Sequence, residues 1–149
     1  MKSSRSNGSS PKKNADKPRL GRILVVEDDP VLAVAIEGAL LDGGAQEVVL
    51  CSSIAATMAE LEKTRPDALI IDVHLTDRDD GWALAELVDL LGPKRPQIVF
   101  STGAPEDIPP EIAEMGPVLE KPYDPADLVE VLAEGKKRGL FARLRGALD

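Results

Sequence analysis

The sequence of 149 residues has few aromatic side chains, a single cysteine and no long apolar run. One cysteine, Cys51, excludes an internal disulfide and is typical of a reducing compartment, so we expect a cytoplasmic protein in which Cys51 is buried. No apolar run approaches the roughly 18 residues of a membrane-spanning helix, so no membrane span is expected. Because aromatic residues make up only 3% of the chain, its core must consist mainly of Leu, Ile, Val and Ala.

Basic side chains are scarce in the middle of the chain. Residues 1–19 carry six Lys or Arg against one Asp, and residues 136–149 carry five against one. Removing the +5 and +4 of these segments from the net charge of −8 leaves about −17 on residues 20–135. A segment this acidic argues against direct nucleic-acid binding but suits a divalent cation or a basic partner surface. We expect a disordered basic tail over 1–19, one domain over 20–135 and a basic extension over 136–149.

Short apolar segments alternate with segments of helical periodicity along the middle of the chain. Apolar residues on both faces are typical of strands buried in a parallel sheet. Strands are predicted over residues 22–27, 46–51, 67–72, 96–101 and 117–120. Helices are predicted over residues 30–44, 53–64, 81–91 and 124–134, and a short one within 102–116, where three prolines leave little room.

This alternation predicts an α/β fold, a doubly wound five-stranded parallel sheet of order 2-1-3-4-5, which is the flavodoxin-like arrangement. Three predicted helices carry apolar stripes that should face the sheet. The stripes are Leu32, Ile36 and Leu40 in the first helix, Ile54, Met58 and Leu61 in the second, and Leu84, Leu87, Val88 and Leu91 in the third. Ligands of such sheets bind at the carboxyl ends of the strands, where the winding reverses.

Four predicted strands end in polar residues that can carry chemistry. They are Glu27, Asp28 and Asp29 after the first strand, Asp72 at the end of the third, Ser101 and Thr102 after the fourth, and Glu120 and Lys121 after the fifth. A polar residue at one strand end is more often a cap or a turn than a site. The conjunction is more specific, because the predicted fold brings all four ends to one edge.

The residue types at this edge indicate phosphoryl chemistry. Carboxylates of Glu27, Asp28 and Asp72 are the hard oxygen ligands that Mg²⁺ prefers. A strand-end carboxylate can attack phosphorus and form an aspartyl phosphate. The Lys121 ammonium and the Thr102 hydroxyl would then bind oxygens of that phosphoryl group.

At these residues the sequence resembles the receiver domain of two-component response regulators. The segments that carry the resemblance are ILVVEDDP, ALIIDVHL, IVFSTG and VLEKPYDPADL, in order between residues 20 and 135. The resemblance implies that Asp72 is the phosphoacceptor, with Thr102 as the switch hydroxyl and Lys121 as the phosphate partner. It also implies that Mg²⁺ is held by Glu27, Asp28, Asp72 and the backbone carbonyl of His74.

Within that family the chain is similar to the FAT GUY subgroup, whose motif FATG corresponds to FSTG here. The sequence departs from the family at Val118, where many receivers have a switch Tyr or Phe, and in a long loop after Asp72 that lacks the common proline. Signalling could instead pass through the proline-rich segment 104–114. Tyr123 is interpreted as a packed surface aromatic.

The function that follows is a stand-alone, single-domain response regulator. A histidine kinase or histidine phosphotransfer protein would phosphorylate Asp72, and a conformational change would signal to an unknown protein partner. A second hypothesis is an interaction module of the same fold that works without phosphorylation. A haloacid-dehalogenase-type phosphatase would need an Asp where His74 stands, and an FMN-binding flavodoxin would need a Ser/Thr/Gly-rich loop after the first strand.

The basic segment at the carboxyl terminus carries an apolar stripe, formed by Leu140, Phe141, Leu144 and Leu148. It is short and contains two glycines, so alone it would barely be helical. An extension of the last helix or a frayed tail is favoured over docking on a partner or an anionic membrane.

Overall fold

Five parallel strands form one sheet whose order is β2-β1-β3-β4-β5. The structure is a computed structural model that describes residues 17–72 and 95–148. The elements are β1 (Gly21–Val26), α1 (Pro30–Asp42), β2 (Ala45–Cys51), α2 (Ile54–Lys63), β3 (Ala68–Asp72), β4 (Gln97–Thr102), a 3₁₀ turn (Pro105–Asp107), α3 (Pro110–Ala113), β5 (Val118–Glu120) and α4 (Ala126–Leu148). The predicted fold and strand order are confirmed.

Each central strand buries side chains on both faces of the sheet, because successive residues of a strand point to opposite sides. Ile23, Val25, Ile70 and Val99 pack with residues of α1 and α4, and we call this side the α1 face. Leu24, Val26, Leu69, Ile71 and Phe100 pack with α2 and with Ile108 and Ile112 of the segment between β4 and β5, and we call this side the α2 face.

The first helix begins immediately after the acidic residues that follow β1. The Asp29 carboxylate accepts hydrogen bonds from the backbone N–H groups of Val31 (2.9 Å) and Leu32 (3.3 Å). Pro30 occupies the first turn, where its missing N–H costs nothing. Of the predicted stripe, Ile36 and Leu40 are buried, whereas Leu32 is half-buried. Because the helix begins at Pro30, directly after the Asp29 cap, Glu27 and Asp28 lie at the end of β1.

The predicted face of α2 is wrong at one position. Ile54 and Leu61 pack against the sheet, but Met58 is 37% exposed and Thr57 is buried instead. The Thr57 hydroxyl donates a hydrogen bond to the Ser53 carbonyl (2.8 Å), so burying it leaves no polar group unsatisfied. Helical periodicity allows position 57 or 58 equally between 54 and 61, and the packing geometry selects the smaller residue.

The last helix runs for 23 residues without interruption. Asp124 caps it by accepting the Ala126 N–H (3.0 Å). The ammonium of Lys136 donates to the Arg19 carbonyl just before β1, and the part of α4 after Lys136 is about 18 Å long. The helix-extension interpretation is therefore confirmed, and the predicted domain boundary at 135 falls within this helix.

Several sequence predictions lie outside the described residues: the helix over 81–91, the role of His74, and residues 1–16 of the predicted tail over 1–19. Cys51 is buried, as predicted. Within residues 17–72 and 95–148, no helix is long and apolar enough to cross a membrane.

Candidate functional site

Glu27 lies at the carboxyl end of β1, with its side chain almost fully buried. Its backbone N–H donates to the Cys51 carbonyl (3.0 Å), which continues the β1–β2 pairing by one residue. One carboxylate oxygen, Oε2, accepts a hydrogen bond from the Asp29 N–H (3.2 Å). The other, Oε1, is buried and accepts no hydrogen bond within the described part of the chain. That oxygen instead faces the ammonium of Lys121.

Asp72 is the last residue of β3 and is also buried, being only 4% exposed. The Lys121 ammonium lies 3.4 Å from Asp72 Oδ2 and 3.0 Å from Glu27 Oε1. The contact to Glu27 is an ion pair at an angle outside that of a hydrogen bond, and the longer contact to Asp72 is weaker. One ammonium thus bridges the ends of β1 and β3. The Lys121–Pro122 peptide that follows β5 is cis.

Three carboxylates converge at this edge, as the sequence predicted. Glu27, Asp28 and Asp72 each offer one oxygen, and these oxygens lie within 4.8 Å of one another. Among residues 17–72 and 95–148, the cation seen in contact with both Glu27 and Asp72 is Lys121, and a divalent cation would neutralise the remaining negative charge. The all-oxygen donor set, in which Glu27 Oε1 accepts no hydrogen bond, fits Mg²⁺.

The crowding of these carboxylates changes the acidity of Glu27. Burial raises the pKa of the Glu27 carboxyl, and the neighbouring Asp72 charge raises it further. Contacts with Lys121 and with the Asp29 N–H oppose this and do not cancel it. For Lys121, burial lowers the pKa, but the contact with Glu27 and the charge of Asp72 outweigh it, so the pKa is raised. Lys121 is therefore a permanent cation at this edge.

The Thr102 hydroxyl, predicted to bind phosphoryl oxygen, is fully buried at the end of β4. Its Oγ1 accepts a hydrogen bond from the Ala104 N–H (3.0 Å), and its carbonyl accepts one from the Lys121 N–H (2.8 Å). Thr102 therefore lies at the same edge as the carboxylates and is tied by the backbone to Lys121. Its predicted role as a switch hydroxyl stays a prediction.

Sequence reasoning missed a contact beside Asp72. In the β3–β4 pairing, the residue opposite Asp72 is Ser101, not Thr102. The Ser101 side chain is buried, and its Oγ lies 2.8 Å from the Tyr123 hydroxyl. Burial raises the pKa of Tyr123, and the Ser101 hydrogen bond offsets part of that effect. Tyr123 is half-buried and packs against the α1 face, in keeping with a packed aromatic, but its hydrogen bond to Ser101 was not predicted.

The two hydroxyls of β4 differ in their parity in the strand. Ile71 and Phe100 lie on the α2 face, so the next residues, Asp72 and Ser101, lie on the α1 face. The register of β4 against β3, together with alternation, therefore puts Ser101 on the same face as Asp72. The sequence held no signal for the partner of Ser101, because Tyr123 lies 22 residues away.

Comparisons with known proteins agree with this arrangement. Residues 23–133 match the family model of the response regulator receiver domain. A curated relative, the sensory transduction protein LytT of Enterococcus faecalis, is 35% identical over 82 residues. That match covers 54% of this chain and 33% of LytT, so it spans about a third of that relative's length.

Among solved structures, a CheY-like receiver domain from Methylobacillus flagellatus is 28% identical, with a TM-score of 0.67, over 75% of this chain and 95% of that chain. The receiver domain of the sensor histidine kinase PA1611 from Pseudomonas aeruginosa PAO1, with magnesium coordinated in its active site cleft, is 28% identical. Its TM-score is 0.63, with 74% of this chain and 93% of that chain covered. The strand order, the acidic edge and the family match together show that this chain belongs to the response regulator receiver domain family.

Proposed function

We propose that this chain is a phosphoacceptor that receives a phosphoryl group on Asp72 from a histidine kinase or a histidine phosphotransfer protein. The observation that carries the proposal is the convergence of three carboxylates with Lys121, whose ammonium lies 3.4 Å from Asp72 Oδ2. A conformational change then signals to a protein partner. We also propose that residues 20–135 act as the receiver unit.

The transfer forms a bond between an Asp72 carboxylate oxygen and phosphorus while the N–P bond of a donor phosphohistidine breaks. The donor imidazole leaves with the electron pair of that bond and takes up a proton from solvent. Asp72 is suited to this attack because a rigid central strand presents it with little freedom. Lys121 stabilises the negative charge that builds on the phosphoryl oxygens, and Thr102 is placed to donate a hydrogen bond at the same edge. The same edge could promote hydrolysis of the aspartyl phosphate.

Mg²⁺ would be held by Glu27, Asp28 and Asp72, with the backbone carbonyl of His74 as a further ligand. When bound, the ion supplies positive charge for the carboxylates and the phosphoryl oxygens. The magnesium in the PA1611 receiver domain supports this assignment. His74 itself lies outside the described residues.

The test is the intact mass of the protein after incubation with a small phosphodonor such as acetyl phosphate, with Mg²⁺ or with EDTA. We expect a gain of one phosphoryl group that requires Mg²⁺ and is absent in Asp72→Asn. The matched control is Asp67→Asn, an exposed carboxylate just before the same strand, which should be phosphorylated like wild type. Labelling of Asp72→Asn at the wild-type level would contradict the assignment.

A second candidate function is an interaction module of the same fold that works without phosphorylation. Val118 favours it, because this position, which the resemblance assigns to a switch aromatic, packs as a half-buried aliphatic on the α2 face. Failure of wild type to gain mass from both a small phosphodonor and a phosphorylated histidine phosphotransfer protein would favour this second function.

A further inference from the structure

Ser101 is a hydroxyl residue of β4 that faces the same side of the sheet as Asp72 and stands directly opposite it. The two residues are partners in the parallel pairing of β3 and β4, and both lie on the α1 face. Adjacent strands lie about 4.8 Å apart, so a phosphoryl group on Asp72 would come within hydrogen-bonding reach of Ser101. The Ser101 side chain is 1% exposed, so water is a poor substitute as its partner.

The Tyr123 hydroxyl holds Ser101 from the other side. The two oxygens lie 2.8 Å apart, and either can be the donor. Tyr123 follows the cis Lys121–Pro122 peptide and precedes Asp124, the cap of α4. The hydrogen bond therefore links the end of β4 to the short segment that carries both the Lys121 ammonium and the start of the last helix.

We propose that Tyr123 is a positioning residue of the phosphoacceptor site that acts through Ser101. In the phosphorylated state the Tyr123 hydroxyl donates to Ser101, and the Ser101 hydroxyl donates to a phosphoryl oxygen on Asp72. A serine hydroxyl has one proton but can accept as well as donate, so it can serve both neighbours at once. No covalent bond changes in this step, and only the direction of the hydrogen bonds is fixed. The inference rests on the proposed function of Asp72.

The charge of the phosphoryl group gives this chain of hydrogen bonds a preferred direction. A phosphoryl group brings strong acceptor oxygens and no donor at neutral pH, so it favours Ser101 as the donor. Ser101 must then accept from Tyr123, and the contact allows this because either oxygen can be the donor. Phosphorylation of Asp72 would thus fix the direction of the hydrogen bond made by Tyr123, the residue next to the α4 cap.

The test uses beryllium trifluoride, which mimics a phosphoryl group on a carboxylate, and measures its affinity by calorimetry in saturating Mg²⁺. We expect Tyr123→Phe and Ser101→Ala each to weaken binding by about three- to tenfold, the loss of one hydrogen bond. Because the two hydroxyls act as one unit, the double variant should bind as weakly as the single ones. Thr57→Val removes a buried hydroxyl from α2 and should leave the affinity unchanged.

A spectroscopic signal separates this role from simple packing. The chain has one tyrosine, so ¹³C labelling of the tyrosine Cζ alone gives one ring resonance, that of Tyr123. We expect that resonance to shift on addition of beryllium trifluoride to wild type, and to shift much less in Ser101→Ala. Wild-type affinity in Tyr123→Phe, additive losses in the double variant, or an equal shift in Ser101→Ala would each overturn the proposal.

The two proposals fail in different ways. If wild type neither binds beryllium trifluoride nor gains phosphoryl mass, the phosphoacceptor function is wrong, and so is the positioning role of Tyr123 that rests on it. If wild type binds the mimic and is phosphorylated while Tyr123→Phe behaves like wild type, only the positioning role of Tyr123 is wrong. Thermal unfolding of every variant checks that a weaker affinity does not reflect a damaged fold.

Discussion

The two faces of the sheet are built from the same strands but end differently. On the α2 face, Val26, Ile71 and Phe100 stay apolar close to the carboxyl edge. On the α1 face, the next residue of each strand is polar, and Glu27, Asp72 and Ser101 meet Lys121 and Tyr123 there. Alternation along each strand lets a rigid apolar layer and a reactive polar layer share one backbone.

This difference explains how the site is both rigid and charged. Buried carboxylates are costly unless a cation compensates them, and in the described residues Lys121 is the cation that touches both Glu27 and Asp72. The apolar face opposes that cost by burying large side chains, each contributing about 1.5–3 kcal/mol. We therefore expect changes on the α2 face to affect mainly stability, and changes on the α1 edge to affect mainly chemistry and its pH dependence.

The largest expected effect on stability is that of Phe100→Ala on the α2 face. Phe100 is fully buried, so the truncation should lower the free energy of unfolding by about 3–5 kcal/mol. Urea denaturation followed by circular dichroism measures this loss. Leu144→Ala is the matched control, because Leu144 is 51% exposed and its truncation should change stability by less than about 0.5 kcal/mol. Equal losses in the two variants would contradict the assignment of the core.

Lys121→Met breaks the charge balance of the α1 edge. It leaves two buried carboxylates without their cation, so we expect a loss of about 1–3 kcal/mol at neutral pH in EDTA. Asp72→Asn should cost less, because an amide still accepts hydrogen bonds and one of the crowded negative charges is gone. Urea denaturation of both variants gives the comparison. A larger loss in Asp72→Asn than in Lys121→Met would show that the positive charge of Lys121 does not compensate the carboxylates.

The raised pKa of Glu27 predicts how stability changes with pH in EDTA. The folded state keeps the Glu27 proton to a higher pH than the unfolded chain, whose carboxyl ionises near pH 4.5. This contribution is therefore fully present below about pH 4.5 and is lost as the pH rises through the folded pKa. Glu27→Gln does not titrate, so its unfolding free energy should fall less over that range. Parallel curves for wild type and Glu27→Gln would refute the shift.

The smallest expected effect comes from Thr102→Val. Valine keeps the shape of the buried side chain and leaves the Ala104 N–H without its acceptor, so a loss of about 1 kcal/mol is expected. The affinity for beryllium trifluoride tells the roles of the two β4 hydroxyls apart. An affinity change in Thr102→Val but not in Ser101→Ala would assign the phosphoryl contact to Thr102 alone and contradict the face argument.

The sequence predicted the strands and the acidic edge well for a physical reason. Central strands of a parallel sheet are buried on both faces, so they are continuous apolar runs that end abruptly in polar residues. The predicted bounds differ from the observed ones by only one residue in several strands, such as the fourth, predicted over 96–101 and observed as Gln97–Thr102. Because parallel strands share a direction, their carboxyl ends meet at one edge of the sheet. Identifying the last residues of the strands therefore identified the residues of the candidate site.

Where sequence reasoning failed, the missing information was a choice among nearly equivalent positions. Met58 and Thr57 both fit the period of α2, and only packing against the sheet decides which is buried. Ser101 and Thr102 are adjacent hydroxyls at one strand end, and only the register of β4 against β3 sets which one stands opposite Asp72. The contact between Ser101 and Tyr123 has no local signature at all.

Hydrophobic periodicity and the right-handedness of crossover connections were enough to predict the fold class, the strand order and the residue types at the carboxyl edge. The position of one ammonium between Glu27 and Asp72, and the contact of Tyr123 with Ser101, emerged only from the folded structure. Those contacts depend on distances between side chains of different strands and loops. Such distances are set by how the helices pack on the sheet, which no local pattern in the chain encodes.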